Sequence, residues 1–427
     1  MIGKLAKNNL RMFHKGAPTF KISKKANIVI ETENKYGAHN YAPIPVVIKR
    51  GSGVHVWDVD GKKYIDCLAS YSAVNQGHCH PKIIGSLISQ ATELTLTSRA
   101  FFNDQLSVFE KVITNMFGYD KVLPMNTGVE GCETAVKLCR RWGYEKKGIP
   151  ENEARVVFAE GNFWGRTLAA VSSSTDPESY KGFGPFMPNF DIVPYDDLTA
   201  LEEKLRNPNC AGFMVEPIQG EAGVKVPSKG YLKGVRDLCK KHNVLFIADE
   251  VQTGLGRTGK MLCCEHEDVK PDVLVLGKAL SGGVYPVSAV LANDDVMLVI
   301  GRGQHGSTYG GNPLAASIAT TALEVLAEEN LVENSRKMGL LLKEELKSLG
   351  VPFFREVRGK GLMIAVEIDG SNGVDAKSIC LELAANGVLA KPTHGDIIRF
   401  TPPLCINQEQ VVSVVEALDK ALQSFSK

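Results

Sequence analysis

The chain has 427 residues, 44% hydrophobic and 23% charged, an ordinary composition for a globular protein. Lys+Arg 49 against Asp+Glu 48 leaves a net charge of +1, so the balance gives no reason to expect nucleic acid or an anionic membrane as partner. No apolar run approaches the roughly 18 residues that a membrane helix needs, and the 10 cysteines lack the spacing of a disulfide framework, reading instead as reduced thiols of an intracellular protein.

Residues 1–30 carry Lys4, Lys7, Arg11, Lys15, Lys21, Lys24 and Lys25, with no acid before Glu31. Two readings stand side by side: a transit peptide to the mitochondrial matrix, or a tail on a cytoplasmic enzyme. Residues 36–50 form an irregular, proline-marked lead-in. Alternating runs on either side of Asp60-Gly61 predict a β-hairpin. The polar stretch Ser70-Tyr-Ser-Ala-Val-Asn-Gln-Gly-His-Cys-His-Pro81 leads into a helix over 81–95. Consecutive residues on a loop do not converge on one ion, so His78-Cys79-His80 reads as a turn, not a metal site.

From about 121 to 293, strands and helices alternate. Strands are predicted at 121–125, 156–159, 192–195, 212–216, 245–249, 274–277 and 287–292, with amphipathic stretches at 131–146, 198–206 and 230–242 between some of them. That pattern specifies an α/β fold, a mostly parallel seven-stranded sheet covered by helices on both faces. Residues 313–349 are helical with a break near Glu329-Asn330. The remainder alternates as a small α+β unit: a strand-like run at 357–368, a helix at 375–386, a strand at 397–400 and a closing helix at 408–425. The expected division is a basic arm 1–35, a hairpin-bearing segment 36–80, a large domain 81–328 and a small domain 329–427.

Chemistry concentrates at strand ends, where open α/β sheets bind ligands. The apolar run 273–276 stops at Gly277 and delivers Lys278. A lysine at the mouth of a buried strand is desolvated, its charged form is disfavoured, and it can serve as an amine nucleophile and base. The run 244–251 delivers Asp249 at an equivalent end. Met125-Asn-Thr-Gly-Val-Glu130 turns from strand to helix, where the helix end and Gly128 offer a phosphate seat and Thr127 a hydroxyl or cap. Phe163 can stack on a planar ring and Arg166 can hold a carboxylate, whereas Trp164 reads as core. Gly254-Leu-Gly-Arg-Thr-Gly-Lys260 has the spacing of a nucleotide loop, but Met261 stands where the magnesium-binding hydroxyl belongs, which leaves a glycine-rich loop. Seat, ring-stacking aromatic, acid and desolvated lysine together describe a site for pyridoxal 5'-phosphate.

Long stretches carry a family resemblance: Tyr36-Gly-Ala-His-Asn-Tyr41, the 70–81 segment, Gly161-Asn-Phe-Trp-Gly-Arg-Thr167, Glu216-Pro-Ile-Gln-Gly-Glu-Ala-Gly223, Leu276-Gly-Lys-Ala-Leu-Ser-Gly-Gly283, His305-Gly-Ser-Thr-Tyr-Gly-Gly-Asn-Pro313 and Lys391-Pro-Thr-His-Gly-Asp-Ile-Ile-Arg399. From about Tyr36 onward the chain resembles the class III aminotransferases of fold type I. The resemblance implies Lys278 as the imine-forming lysine and proton shuttle, Asp249 against the pyridine nitrogen, and Gln252 on the ring hydroxyl. It also implies phosphate contacts from Thr127, Gly128 and Val129, stacking by Phe163, and Glu216 in the cofactor shell. Ser307 and Thr308 would reach the cofactor of the other subunit, making the active site the product of a homodimer.

Within the family the resemblance points to L-ornithine as amino donor and 2-oxoglutarate as acceptor, giving glutamate-5-semialdehyde and L-glutamate. Tyr41 and Tyr71 would line the substrate mouth. Arg166 would grip the ornithine carboxylate, and Arg399, masked by Glu221 while ornithine is bound, would take the second carboxylate of 2-oxoglutarate. Members acting on acetylornithine or 4-aminobutyrate, and a non-catalytic protein of the same fold, remain as alternatives. Gly131-Cys132 departs from the family pattern; Cys132, Cys139, Cys263 and Cys264 read as buried thiols, with redox sensing as the other reading.

Overall fold

The computed structural model describes residues 20–370 and 373–425; most of the basic arm, residues 1–19, lies outside them. The last part of the arm is a helix, Lys24–Tyr36, whose N-terminus is capped by Ser23 Oγ accepting from Ala26 N at 3.0 Å.

The central element is a seven-stranded sheet in the spatial order Lys121–Met125, Ser288–Ala292, Val273–Leu276, Leu245–Asp249, Cys210–Val215, Arg155–Ala159, Phe190–Val193. All pairings are parallel except the two made by Ser288–Ala292. Every residue of Cys210–Val215, Leu245–Asp249 and Val273–Leu276 is buried. Strands covered on both faces must read as unbroken apolar runs, and these do. All seven expected strands are present. The edge strand lies two residues earlier than 192–195, because Pro194 has no N–H to donate and pairing stops at Val193.

Two smaller sheets flank the large one. One joins Ile48–Ser52, His55–Asp58 and Lys63–Asp66, the expected hairpin among them, with a short parallel addition from Val388–Leu389. The other is antiparallel: Phe354–Lys360, Met363–Ile368, Ile397–Phe400, Lys391–Thr393. The helix pair at 313–348 breaks where expected. Pro313–Glu328 begins at an Asn312 cap, and Asn330 turns into the left-handed region (φ 53°) before Leu331–Ser348. Pro313–Glu328 packs against Pro81–Glu93 and against Asp104–Phe117, a helix the sequence reading did not identify.

Two features tie these layers together. Arg257, fully buried in the glycine-rich loop, donates to Leu362 O (2.9 Å), Pro402 O (2.6 Å) and Asn75 Oδ1 (2.6 Å). Gly339, inside Leu331–Ser348, lies so close to the 360–362 turn that an added Cβ would sit 2.0 Å from Gly361 O. Backbone cannot yield as a flexible side chain can, so overpacking there is costly. Gly339→Ala is expected to destabilise the protein by about 1–3 kcal/mol, read as a lowered thermal unfolding midpoint; an unchanged midpoint would show that the helix can shift freely.

Candidate active site

The parallel strands deliver their carboxyl ends to one edge of the sheet, and there the chain encloses a cavity of ≈ 230 Å³. Gly128, Val129, Phe163, Glu216, Asp249, Gln252 and Lys278 line it, seven of the residues singled out from sequence. They arrive from five different strand ends or the loops after them, which is why residues 150 apart in sequence meet.

The phosphate seat is the N-terminus of Gly128–Trp142. Thr127 and Glu130 form a capping box: Thr127 Oγ1 accepts from Glu130 N (3.3 Å), and Glu130 Oε2 accepts from Thr127 N (2.9 Å). The box satisfies the amide of Glu130 and leaves those of Gly128 and Val129 at the first helical positions, where no intrahelical acceptor exists. Ser288 Oγ fixes the turn by donating to Thr127 O at 2.7 Å. Gly128 is required by space, since a Cβ would meet Val251 Cγ1 at 2.9 Å.

Lys278 follows directly on its buried strand, and its backbone is left-handed (φ 44°), a conformation a side chain adopts only under constraint. Burial lowers its pKa, against the opposing pull of the Glu221, Asp249 and Glu216 carboxyls. Asp249 is raised by burial; Val251 N (3.0 Å) and the Cys132 thiol (3.4 Å) donate to it. Glu216 is pushed up to about 8 by burial and by the neighbouring Asp249 charge, although the amides of Phe163 (2.9 Å) and Gly220 (3.3 Å) donate to it. Glu216 is therefore mostly protonated at neutral pH.

Beside the cavity lies an ion pair between a buried arginine and a half-buried carboxylate. Arg399 donates to Glu221 through Nη1 (2.9 Å) and Nη2 (3.3 Å), and Gln252 Nε2 adds a contact to Glu221 Oε1 (3.3 Å). Burial alone would raise Glu221; the Arg399 charge and hydrogen bonds prevail and hold it below the usual carboxylate range. Arg399 also lies over the Tyr71 ring at 5.1 Å. Tyr71 sits on a single left-handed turn, Ala69–Ser72, with four successive positive φ values. Asp66 Oδ1 accepts from the amides of Leu68 (2.8 Å) and Ala69 (3.0 Å), Thr401 N donates to Cys67 O (2.7 Å), and Lys391 donates to the Tyr71 hydroxyl.

Other expected residues stand apart from the cavity lining. Arg166 is exposed, with its guanidinium 5.4 Å from the Phe163 ring. Tyr41 is exposed. Thr308 is exposed on its loop, and Ser307 Oγ accepts from Asn126 Nδ2 at 2.8 Å. Trp164 is core as expected, stacked on Phe158 and donating to Ser173 Oγ (2.7 Å), yet one edge also lines the cavity. Sequence reasoning missed Cys132, Val251 and Gly165 as lining. Gly165 carried a signal, being a glycine two residues after the ring-stacking position; a Cβ there would lie 2.2 Å from Val129 Cγ2. Cys132, Cys139, Cys263 and Cys264 are all buried, and burial raises each thiol. His78 Nε2 and His80 Nε2 engage different carboxylates, Asp66 and Glu329.

A desolvated amine and a buried acid at adjacent strand ends, facing a capped helix N-terminus, define an enzyme that works through an aldehyde cofactor bearing a phosphate. Residues 36–422 match the model of the class III aminotransferases, and the chain belongs to that family. It is 61% identical over 401 residues to a Drosophila melanogaster protein named "Ornithine aminotransferase, mitochondrial", covering 94% of this chain and 93% of that one. The crystal structure of ornithine aminotransferase from Toxoplasma gondii superposes with a TM-score of 0.92 at 47% identity, over 94% of this chain and 96% of that one. That of acetylornithine aminotransferase from Elizabethkingia anophelis gives 0.86 at 53%, over 94% and 100%. The fold is that of the fold-type I aminotransferases, and the family's cofactor is pyridoxal 5'-phosphate.

The residues present fit that cofactor. The uncapped amides of Gly128 and Val129 suit a phosphate. Among the described residues an amide and a thiol donate to the buried Asp249 carboxylate, and a protonated ring nitrogen would add a positive charge. Lys278 is at the same cavity with its amine biased to the neutral, nucleophilic form.

The elevated Glu216 pKa has a measurable consequence. A carboxyl raised in the folded state contributes stability that is complete below its unfolded pKa, about 4.3, and is lost as pH rises through its folded value of about 8. In the cofactor-free protein, the unfolding midpoint of Glu216→Gln relative to the unmodified protein should therefore rise steadily between about pH 4.5 and 8. A constant difference over that window would show that Glu216 is ionised in the fold.

Proposed function

We propose that this protein moves the δ-amino group of L-ornithine to 2-oxoglutarate, giving glutamate-5-semialdehyde and L-glutamate in a ping-pong reaction. The observation that carries this reading is the Glu221–Arg399 pair at the cavity wall. An enzyme for ordinary α-amino acids needs its carboxylate-binding arginine open. Here that arginine is closed by an acid, which disfavours α-amino acids while leaving room for a substrate held elsewhere by its carboxylate. Arg166, exposed over the Phe163 ring, would take the ornithine α-carboxylate so that the distal amine reaches inward, and Tyr41 and Tyr71 would line the mouth.

When bound, pyridoxal phosphate supplies an aldehyde that takes up the amine and a ring that withdraws electrons from the carbon losing its proton. The rest belongs to the chain. Gly128 and Val129, with Thr127 at the cap, would hold the phosphate. Phe163 would stack on the ring, Gln252 would meet its hydroxyl, and Glu216 fixes the loops of Phe163 and Gly220 beside them. Asp249 would keep the ring nitrogen protonated. Lys278, with its lowered pKa, accepts the proton from the substrate carbon and returns it one position away. Once the semialdehyde has left, Glu221 turns aside, and Arg399 binds the second carboxylate of 2-oxoglutarate.

The reading extends to assembly and address. Ser307 and the exposed Thr308 support a homodimer in which this loop completes the partner's phosphate site. The basic stretch 1–30 and the printed name of the Drosophila relative support the mitochondrial matrix. Residues 81–328 would be the cofactor-binding domain and 329–427 the small domain, with 36–80 attached and 1–35 as the arm.

Addition of ornithine should abolish the absorbance of the bound aldehyde, and 2-oxoglutarate should restore it. Lys278→Ala should slow both half-reactions by at least roughly 10²–10⁴-fold. Turnover of acetylornithine or 4-aminobutyrate faster than ornithine would refute the substrate assignment, and absorbance unmoved by any amine would refute catalysis. Glu221→Gln should let glutamate compete with ornithine in the first half-reaction, raising the apparent KM for ornithine when glutamate is present. No change in that competition would mean that Glu221 does not mask Arg399.

A further inference from the structure

The acid that closes over Arg399 lies in a short loop, Gly220 to Val224, which is closed at its base by the Gln219–Lys225 bridge and by Gly223 N (3.1 Å) and Val224 N (3.2 Å) donating to Gly220 O, with further carbonyls gripped by the C-terminal sheet. Gly220 O accepts from Arg399 Nη1 (3.3 Å), and Glu221 O accepts from His394 Nε2 (2.9 Å). Gly223 O accepts from Arg358 Nη2 (2.8 Å) and Nε (3.1 Å), and Val224 O from the same Nε (3.1 Å). The loop exit needs such a grip. Val224 is buried with φ 56°, a left-handed conformation that a β-branched residue adopts only when its surroundings impose it.

The sheet register explains how one arginine manages this. Arg358 pairs with Ala365, and Ala365 pairs with Arg399, so the two arginines stand in one row across three strands and on one face of the sheet. Arg399 takes the Glu221 side chain, and Arg358 takes the backbone two and three residues on. Its guanidinium is mostly buried and is held on its other side by Glu356 and Glu367. It is not among the residues lining the cavity.

We propose that Arg358, assisted by His394, is a positioning residue for substrate discrimination: by immobilising the 220–224 backbone it makes the closing of Arg399 a movement of the Glu221 side chain alone. The inference rests on the reading of Glu221 as the group that masks Arg399. With the backbone pinned, Glu221 returns to the same place after each turnover, and the closed pair is favoured. With it released, Val224 relaxes, Glu221 is no longer delivered to Arg399, and the open state gains population. A ligand that needs Arg399 open binds in proportion to the fraction that is open.

Glutarate, a dicarboxylate with no reacting group, reads this directly as an equilibrium affinity for the cofactor-loaded enzyme, measured by calorimetry. Arg358→Met is expected to tighten glutarate binding by roughly threefold to tenfold, the range in which residues remote from a ligand modulate coupling. In a Glu221→Gln background, itself tighter than the unmodified enzyme, Arg358→Met should change glutarate affinity by less than about twofold, because the two act as one unit. Arg358→Lys keeps the charge and the acidic neighbours but loses the fork that spans two carbonyls; it and His394→Ala should shift affinity in the same direction by less, and they carry the test if Arg358→Met does not fold. The proposal is overturned if glutarate binding weakens or stays constant in all three, or if Arg358→Met shifts it equally with and without Glu221. Constant affinity on Glu221→Gln alone overturns the masking role and this inference together. An enzyme whose absorbance ignores ornithine overturns the substrate assignment, while the glutarate series still decides the role of Arg358.

Discussion

Removal of water from a cluster of ionisable groups is the constraint from which the rest of the site follows. Lys278, Asp249 and Glu216 share one cavity, and burial drives all three toward neutrality, the amine downward and the carboxyls upward. The attraction between Lys278 and the two carboxyls offsets part of that cost but not all of it, and the carboxyls repel each other. The fold sustains the arrangement because each group lies at, or within two residues of, the end of a fully buried strand whose backbone is paired on both sides. Incoming charge on a cofactor or substrate then decides where the protons sit, and that is the condition for a lysine to act as base and acid in turn.

Specificity has a different physical origin. In the proposed reading it depends on the Glu221–Arg399 ion pair, in which the Arg399 charge and hydrogen bonds hold the Glu221 carboxyl below the usual carboxylate range. Around them the chain accepts local strain: a left-handed turn for Tyr71, a left-handed Val224, a left-handed Lys278. The Tyr71 turn and Val224 are held by the hydrogen bonds described above. Strain of this kind persists only where neighbouring structure over-determines the backbone.

The sequence made the parallel core legible because strands buried on both faces have one possible composition, so 245–249 and 273–276 could be read almost to the residue. The edge strand was misplaced because its boundary depends on a pairing partner and on Pro194, not on apolarity. Asp104–Phe117 was missed; its buried face, Leu106, Phe109, Ile113 and Phe117, has helical spacing, but the preceding run 94–103 carries neither Gly nor Pro to mark where a new element begins. The site lysine and acid were legible from strand ends. Glu221, Arg399 and Tyr71 entered through family resemblance, since nothing in their local sequence announces an ion pair between residues 178 apart. Arg358 was invisible for a related reason: its role depends on sheet register, which joins it to Arg399 through a third strand.

Arg257 bears on how such an enzyme can move. Its guanidinium is sealed among carbonyls of the C-terminal region and the side chain of Asn75, on the opposite flank of the molecule in sequence terms. Swinging the C-terminal region outward as a rigid flap would strip a cation of its acceptors in dry surroundings, at a cost of order several kcal/mol. The molecule is thereby bolted shut along that seam. In the proposed reading two chemically unlike substrates are taken in succession by side-chain rotation at Glu221 and Arg399, a motion that leaves every acceptor of Arg257 in place.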